Sequence, residues 1–359
     1  MTDRGHCAVV LTGGLFQGLH AKTAHGLLRG PSRYRIVGVV DPASAGRDAG
    51  ELLDGKHRDV PVFESLRAAL RSPGGRPDVC IVGVTTGGGT LPPQLRADLL
   101  SAAAAGMTLV SGLHQLLSDD EELVRRVERS GGRIIDIRKP RPVSQLRFWS
   151  GEVLALETPR VAVLGTDCVI GKRTTCLLLL EALRRRGTKA EMIYTGQTGW
   201  LQGLPFGFIL DATPNDFVSG ELERAVLECA RHAHPEVILL EGQSGLRNPS
   251  GPCGSELLLS AGARGVVLQH APARTHFIEH KGMGCKLPSL PDEIALVHAY
   301  GSEVWAVALN QEGLSPERAV ELRDAYAREL GLPVALPLCG DLEPLVEAVR
   351  ARILSAGDG

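Results

Sequence analysis

The stretch AVLGTDCVIGKRTTCLLLL, residues 162–180, constrains this chain more than any other. An apolar run stops at Gly165, a second glycine stands directly before a lysine at Gly171-Lys172, and a leucine-rich run at helical spacing follows. A strand that enters a helix through such a loop turns backbone N–H groups and the positive helix end toward one point, where an anion is stabilised. Gly165 and Gly171 permit the tight path, and Lys172 adds a point charge for a phosphate. The five residues between the two glycines differ by one from the commonest spacing of such a loop. In nucleotide hydrolases and kinases a hydroxyl after the lysine holds magnesium. Here that position is Arg173, which cannot coordinate a cation. Thr174 sits about 100° further round the helix, and Thr174 and Thr175 can still donate to a phosphate. The loop reads as a phosphate cradle with weakened metal ligation.

The rest of the chain repeats the strand-then-helix rhythm twice. Cys7–Leu11, Arg35–Asp41, Asp78–Val84, Thr108–Ser111 and Ile134–Ile137 read as strands, with helical stretches at Lys22–Leu28, Leu95–Ala105 and Glu121–Glu128. A proline-rich break, Arg138–Pro159, precedes a second series with strands at Arg160–Leu164, Ala190–Ile193, Val237–Leu240, Gly265–Leu268 and Val304–Leu309. A last helix is expected at about Leu342–Leu354. Continuous apolar strands alternating with helices predict parallel sheets covered on both faces. The expectation is α/β, two doubly wound, mostly parallel-sheet domains over residues 1–145 and 155–359.

Composition removes several alternatives. The net charge is −2 and aromatics make up 4% of the chain, so no field or stacking face favours nucleic acid. No apolar run approaches the roughly 18 residues of a membrane helix. The eight cysteines are scattered without metal-ligand or C-x-x-C spacing, so neither zinc nor a disulfide frame is expected. Together with a first segment, MTDRGHCAVVLTGG, that lacks a long apolar core, this predicts a cytoplasmic protein with reduced thiols. A homo-oligomer is compatible with apolar sheet edges.

Other candidate residues follow strands, where open α/β sheets place their ligands. Val237–Leu240 runs into Glu241, a carboxylate able to order metal-bound water or act as a general base. Gln243, Ser244 and Arg247 come next. Gln197 and Thr198, in TGQTGW, offer amide, hydroxyl and backbone donors. His270 and Arg274, in QHAPAR, join an imidazole to a guanidinium suited to a carboxylate. Asn310 ends a late strand with an amide able to read an adenine edge, and Asp211 and Asp216 serve equally well as helix caps. In the first half, Asp41 follows a strand as a ribose-binding acid would, and Thr85–Thr90 is a glycine run able to form an anion nest. The loop after the first strand lacks the full G-x-G-x-x-G, so a dinucleotide site there is not expected.

With these motifs assembled, the chain resembles a bacterial family long labelled only as a domain of unknown function, which includes D-glutamate (D-aspartate) N-acetyltransferases. The loop GTDCVIGK alone is similar to that of dethiobiotin synthetase-type P-loop proteins. The fuller resemblance runs through GTDCVIGKRTT, TGQTGWLQG, NDFVSGELE, LLEGQSGL, HAPAR and ALN, and through KTAHGLLR, GVVDPASAG, TTGGGTLPP and VSGLHQLLSDD. It covers nearly the whole chain. The resemblance implies a Rossmann-like domain followed by a P-loop NTPase-like domain, and acetyl transfer from acetyl-CoA to a D-amino acid. Coenzyme A carries a diphosphate and a 3′-phosphate, so a P-loop can grip it without cleaving a triphosphate, and Arg173 fits that family pattern.

On this resemblance Gly165, Thr166, Asp167, Gly171, Lys172, Arg173, Thr174, Thr175 and Asn310 are expected at the coenzyme. Arg274 and Arg247 are expected at the substrate carboxylate, Glu241 or His270 as the base, and donors near Gln197-Thr198 or Gln243-Ser244 at the oxyanion. No metal is expected for the transfer. Two other readings stand beside it: an ATP- and magnesium-dependent kinase or ligase like dethiobiotin synthetase, and a non-catalytic nucleotide- or CoA-binding module.

Overall fold

A computed structural model describes residues 5–278 and 280–357. The chain divides into two units by its contacts. The first runs to Arg141 and also takes Gly196–Pro205; the second holds Pro142–Thr195 and the chain from Phe206 onward. Residues 196–205 thus leave the span expected for the second domain.

In the first unit, strands β1 (Cys7–Leu11), β2 (Arg35–Val40), β3 (Val62–Phe63), β4 (Val79–Val82), β5 (Thr108–Ser111) and β6 (Arg133–Asp136) form one parallel sheet. Their order is β3-β2-β1-β4-β5-β6. Helices α1 (Lys22–Arg29), α2 (Ala49–Asp54), α3 (Leu66–Leu70), α4 (Pro93–Ala104) and α5 (Glu121–Ser130) connect them. Strand alternation feeds two cores. Val9 and Leu11 pack with Leu66, Leu99 and Leu123, while Ala8 and Val10 pack with Phe16, Leu27 and Leu201. Helix boundaries follow local chemistry: the Asp120 carboxylate accepts from Glu122 N and Leu123 N to start α5, and Gly131, at φ 75°, ends it.

Asp41 takes a different role from a ribose ligand. Its side chain is fully buried, and Oδ2 accepts from Thr12 Oγ1 at 2.8 Å, Gly14 N at 2.9 Å and Phe16 N at 3.0 Å. The acid organises the loop after β1 rather than facing outward.

The second unit holds β7 (Arg160–Gly165), β8 (Ala190–Tyr194), β9 (Phe206–Gly207), β10 (Val237–Glu241), β11 (Gly265–His270), β12 (Glu303–Leu309) and β13 (Val334–Ala335). They form a parallel sheet in the order β13-β12-β11-β7-β10-β8-β9. Helices α6 (Lys172–Arg185), α8 (Asn215–Ala233), α9 (Ser255–Leu259), α10 (Leu290–Ala299), α11 (Pro316–Leu330) and α12 (Glu343–Gly357) belong to the same unit, and α7 (Gln197–Leu201) to the first. Strand β7, with all of its residues buried, is flanked by β11 and β10. Each of these three strands ends in a candidate residue or loop, so the topology brings them to one edge. No helix of the described residues is long and apolar enough to cross a membrane.

The segment NDFVSGELE has a packing role. It opens α8, whose start follows Pro214 without a side-chain cap; Asp216 lies in the first turn and Asp211 in a preceding 3-10 turn. The buried Glu221 accepts from Arg147 N at 2.9 Å, and the buried Glu223 from Ser150 N at 2.7 Å and Val153 N at 3.2 Å. These carboxylates satisfy the backbone of the proline-rich break and fasten it to the second unit.

Candidate functional site

The loop 165–171 leaves β7 and enters α6 through Gly171, whose φ of 101° is a left-handed conformation open to glycine. Helix α6 has no side-chain cap, so its first N–H groups and dipole face the loop. Lys172 is buried and its Nζ donates to Asp167 O and Ser244 O, both at 2.6 Å. The lysine therefore ties the loop to the turn after β10 and places its charge at the helix end. That turn approaches very closely: a Cβ on Gly245 would stand 2.9 Å from Gly165 O.

Asp167 is the organiser of the loop. Oδ1 accepts from Cys168 N at 2.7 Å and Asn248 Nδ2 at 3.3 Å; Oδ2 accepts from Arg274 Nη1 at 3.1 Å and Ile278 N at 2.9 Å. With no exposed surface and both oxygens engaged, it braces the loop from within. Arg274 is likewise committed. It donates to Cys168 O at 2.8 Å and Val169 O at 3.0 Å, and pairs with Glu312 at 3.0 Å. Expected at a substrate carboxylate, the Arg274 guanidinium donates here to carbonyls of the phosphate loop. Asn310 acts in the same way, donating from Nδ2 to Ile170 O at 2.9 Å. Sequence reasoning saw the right residue types at the right strand ends. It could not see that loop carbonyls would consume their donors.

Hydroxyls near the lysine are divided. Thr175 Oγ1 donates to Gln269 Oε1 at 2.6 Å, and Thr166 Oγ1 bonds His270 Nδ1 at 3.0 Å. Thr174 and Arg173, both half-buried, occupy the first turn of α6.

The two candidate bases separate. Ile238, Leu240, Val266 and Leu268 face one core, so strand alternation sends Glu241 to the other face and His270 to this one. Consistently, burial and then the charge of Glu241 push up the thiol of Cys176 on α6. His270 instead meets the ring of Tyr326 on α11 edge-on, at 5.9 Å between centroids. Burial lowers the His270 pKa to about 4, which leaves a neutral but weakly basic ring. Glu241 Oε2 accepts from Thr195 N at 2.9 Å, and Gln243 Nε2 donates to Thr195 Oγ1 at 3.0 Å. Glu241, Thr195 and Gln243 form one polar group beside the phosphate loop.

Residues 147–346 match the model of the DUF1611 C-terminal P-loop domain, a domain of unknown function, and residues 42–140 match the DUF1611 N-terminal Rossmann-like domain. The chain belongs to the DUF1611 family. A crystal structure of a DUF1611 family protein from Anabaena variabilis is similar at a TM-score of 0.87 and 31% identity, covering 96% of this chain and 99% of that one. Two relatives carry the name D-glutamate N-acetyltransferase. The one from Tritonibacter scottomollicae is 29% identical, over 76% of this chain and 80% of its own length. The one from a Pseudoalteromonas species is 29% identical, over 74% and 79%. N-acetyltransferases thus stand among the relatives of this DUF1611 chain.

The remaining candidates divide between the two units of this DUF1611 protein. Arg247 Nε pairs with the buried Glu293 at 2.6 Å, while the arginine side chain stays 39% exposed. Ser244, at φ 42°, offers its carbonyl to Lys172 and its hydroxyl to the Cys168 thiol at 3.4 Å. Gln197 and Thr198 lie in the first unit and are buried there. Gln197 packs on Gly112, and Thr198 Oγ1 bonds Thr23 Oγ1 at 3.4 Å. Asn248, in the polar turn after β10, is a buried partner of Asp167. Its position in a glycine- and serine-rich turn after a strand was the available signal.

Proposed function

We propose that this chain is an N-acetyltransferase that moves an acetyl group from acetyl-CoA to the amine of a small acidic amino acid, D-glutamate or D-aspartate. The observation that carries the reading is the pairing of an intact phosphate cradle with the loss of its magnesium hydroxyl. Arg173 follows the lysine, and the Thr175 hydroxyl is already given to Gln269. Such a cradle holds a diphosphate as a handle and leaves the phosphoanhydride intact, as coenzyme A requires. The names of the D-glutamate N-acetyltransferase relatives support the acceptor.

In the chemistry proposed, Lys172 and the N–H groups at the start of α6 hold the diphosphate. The acceptor amine must lose a proton before it attacks the thioester, and the Glu241 carboxylate takes it. The nitrogen–carbon bond forms, the carbon–sulfur bond breaks, and the coenzyme thiolate leaves. Arg247 Nη groups make no hydrogen bond among the described residues, which makes this arginine the better candidate for a substrate carboxylate than Arg274.

The test incubates the protein with D- and L-glutamate and D- and L-aspartate, adding acetyl-CoA or Mg-ATP. Free thiol and ADP are followed in parallel. Thiol release that depends on an acidic D-amino acid is expected. A product formed with ATP and no thiol release would overturn the reading in favour of a kinase or ligase. Tight CoA binding without turnover across the panel would overturn it in favour of a binding module.

A further inference from the structure

The loop after β11 carries positive charge that the transfer chemistry does not use. Between Arg274, whose charge Asp167 and Glu312 match, and Leu287, the sequence RTHFIEHKGMGCKL carries the cations Lys281 and Lys286 and the single acid Glu279. Glu279 lies outside the described residues. The loop folds back on itself: Phe277 N donates to Cys285 O and Leu287 N to Thr275 O, both at 3.0 Å. His276 and Lys286 form an antiparallel bridge across it.

The same loop is fastened to the phosphate loop. Ile278 N donates to Asp167 Oδ2 at 2.9 Å, and Arg274 holds Cys168 O at 2.8 Å. Three residues of chain span at most about 11 Å, so the Lys281 Cα stands within that distance of the Ile278 Cα. Lys286 adjoins Leu287, whose N–H is tied to Thr275, the neighbour of Arg274. Lys281 and Lys286 are exposed, and neither forms an ion pair among the described residues.

Coenzyme A presents anions in two places on one ribose, a diphosphate on the 5′ side and a phosphomonoester at the 3′ position. With the diphosphate at the start of α6, a second anion site must lie one sugar away. We propose that Lys281 and Lys286 bind the 3′-phosphate of coenzyme A. This rests on the acetyl-CoA reading above and adds to it the group that distinguishes coenzyme A from its dephosphorylated precursor. Two ammonium groups match the charge of a phosphate dianion, and both stand in a loop whose fastening points are the residues that shape the phosphate cradle.

Isothermal titration with coenzyme A and with 3′-dephospho-coenzyme A tests the assignment on the full chain. Three proteins are compared: wild type, Lys281→Ala/Lys286→Ala, and Lys281→Arg/Lys286→Arg. The wild type is expected to prefer coenzyme A by about tenfold. The alanine pair should bring the ratio to within about twofold by weakening coenzyme A alone, and the arginine pair should keep the preference. Equal affinities in the wild type, or a ratio unchanged in the alanine pair, would overturn the assignment and leave the acetyl-CoA reading standing. Binding of neither compound would overturn both.

Discussion

Arg274 Nη1 donates to Asp167 Oδ2 at 3.1 Å, and Asp167 has no exposed surface. A buried carboxylate is stable when its charge is matched and its lone pairs are filled, and here an arginine, two backbone N–H groups and an asparagine fill them. The consequence is a phosphate loop shaped before any ligand arrives. Arg274→Ala strands that carboxylate, so unfolding free energy in urea should fall by about 3 kcal/mol. Coenzyme affinity should fall with it, because the carbonyls of Cys168 and Val169 lose their donor. Retention of full stability would show that the brace is dispensable.

Lys172→Ala removes both the charge at the start of α6 and the link from Asp167 O to Ser244 O. The KM for acetyl-CoA should rise by about a hundredfold, as expected for losing a charged hydrogen bond to phosphate of about 3 kcal/mol. Lys172→Arg should not restore it, since a planar fork does not fit a path cut for a compact ammonium on an unbranched stem. Initial-rate kinetics over a range of acetyl-CoA concentrations decide the point.

Glu241 and His270 stand on opposite faces of the second sheet, and the proposed transfer uses Glu241 as its base. Glu241→Gln keeps an acceptor for Thr195 N but no basic oxygen, and kcat should drop by about a hundredfold to ten-thousandfold. His270→Gln should leave kcat within about threefold, since a buried ring of low basicity contributes little as a base. The reverse order of effects would reassign the base.

His270 also links stability to pH. Burial holds its folded pKa at about 4, against 6.5 for the free side chain. Above pH 6.5 the ring is neutral in both states and costs nothing. Between pH 6.5 and 4 the unfolded chain takes up a proton that the folded one refuses, so stability falls as pH drops. The loss reaches on the order of 3 kcal/mol below pH 4. Urea unfolding at pH 7, 6 and 5 should show the wild type losing stability more steeply than His270→Gln.

Leu201 comes from the segment 196–205, is fully buried in the first unit, and packs in the same core as Val10 and Leu27. Leu201→Ala should destabilise the first unit by about 2–5 kcal/mol. Hydrogen exchange of the β1 amides reads this out separately from the second sheet. Unchanged protection of β1 would contradict the assignment of the segment.

Much of the architecture was legible along the chain. Buried parallel strands are apolar at most positions, so β7, β10 and β11 appear as apolar runs with polar residues only at their ends, and the phosphate loop declares itself by Gly165, Gly171 and Lys172. The two-residue strands β3, β9 and β13 were not visible, because their pairing is set by neighbours and not by their own pattern. Nor did anything in TGQTGWLQG signal that it leaves one unit for the other.

What the sequence by itself determined is the order of strands and helices and the chemistry available at each strand end. Hydrophobic period and loop residues are local, and they act over a few positions. The tertiary structure decided which donors and acceptors are spent. Arg274, Asp167 and Asn310 carry the functional groups of ligand-binding residues, yet their partners lie far along the chain, at separations of 107 and 140 residues. Strand parity, fixed only when β10 and β11 take their places beside β7, then sent Glu241 and His270 to opposite faces. Buried polar groups must be paired, and only the folded chain shows with what.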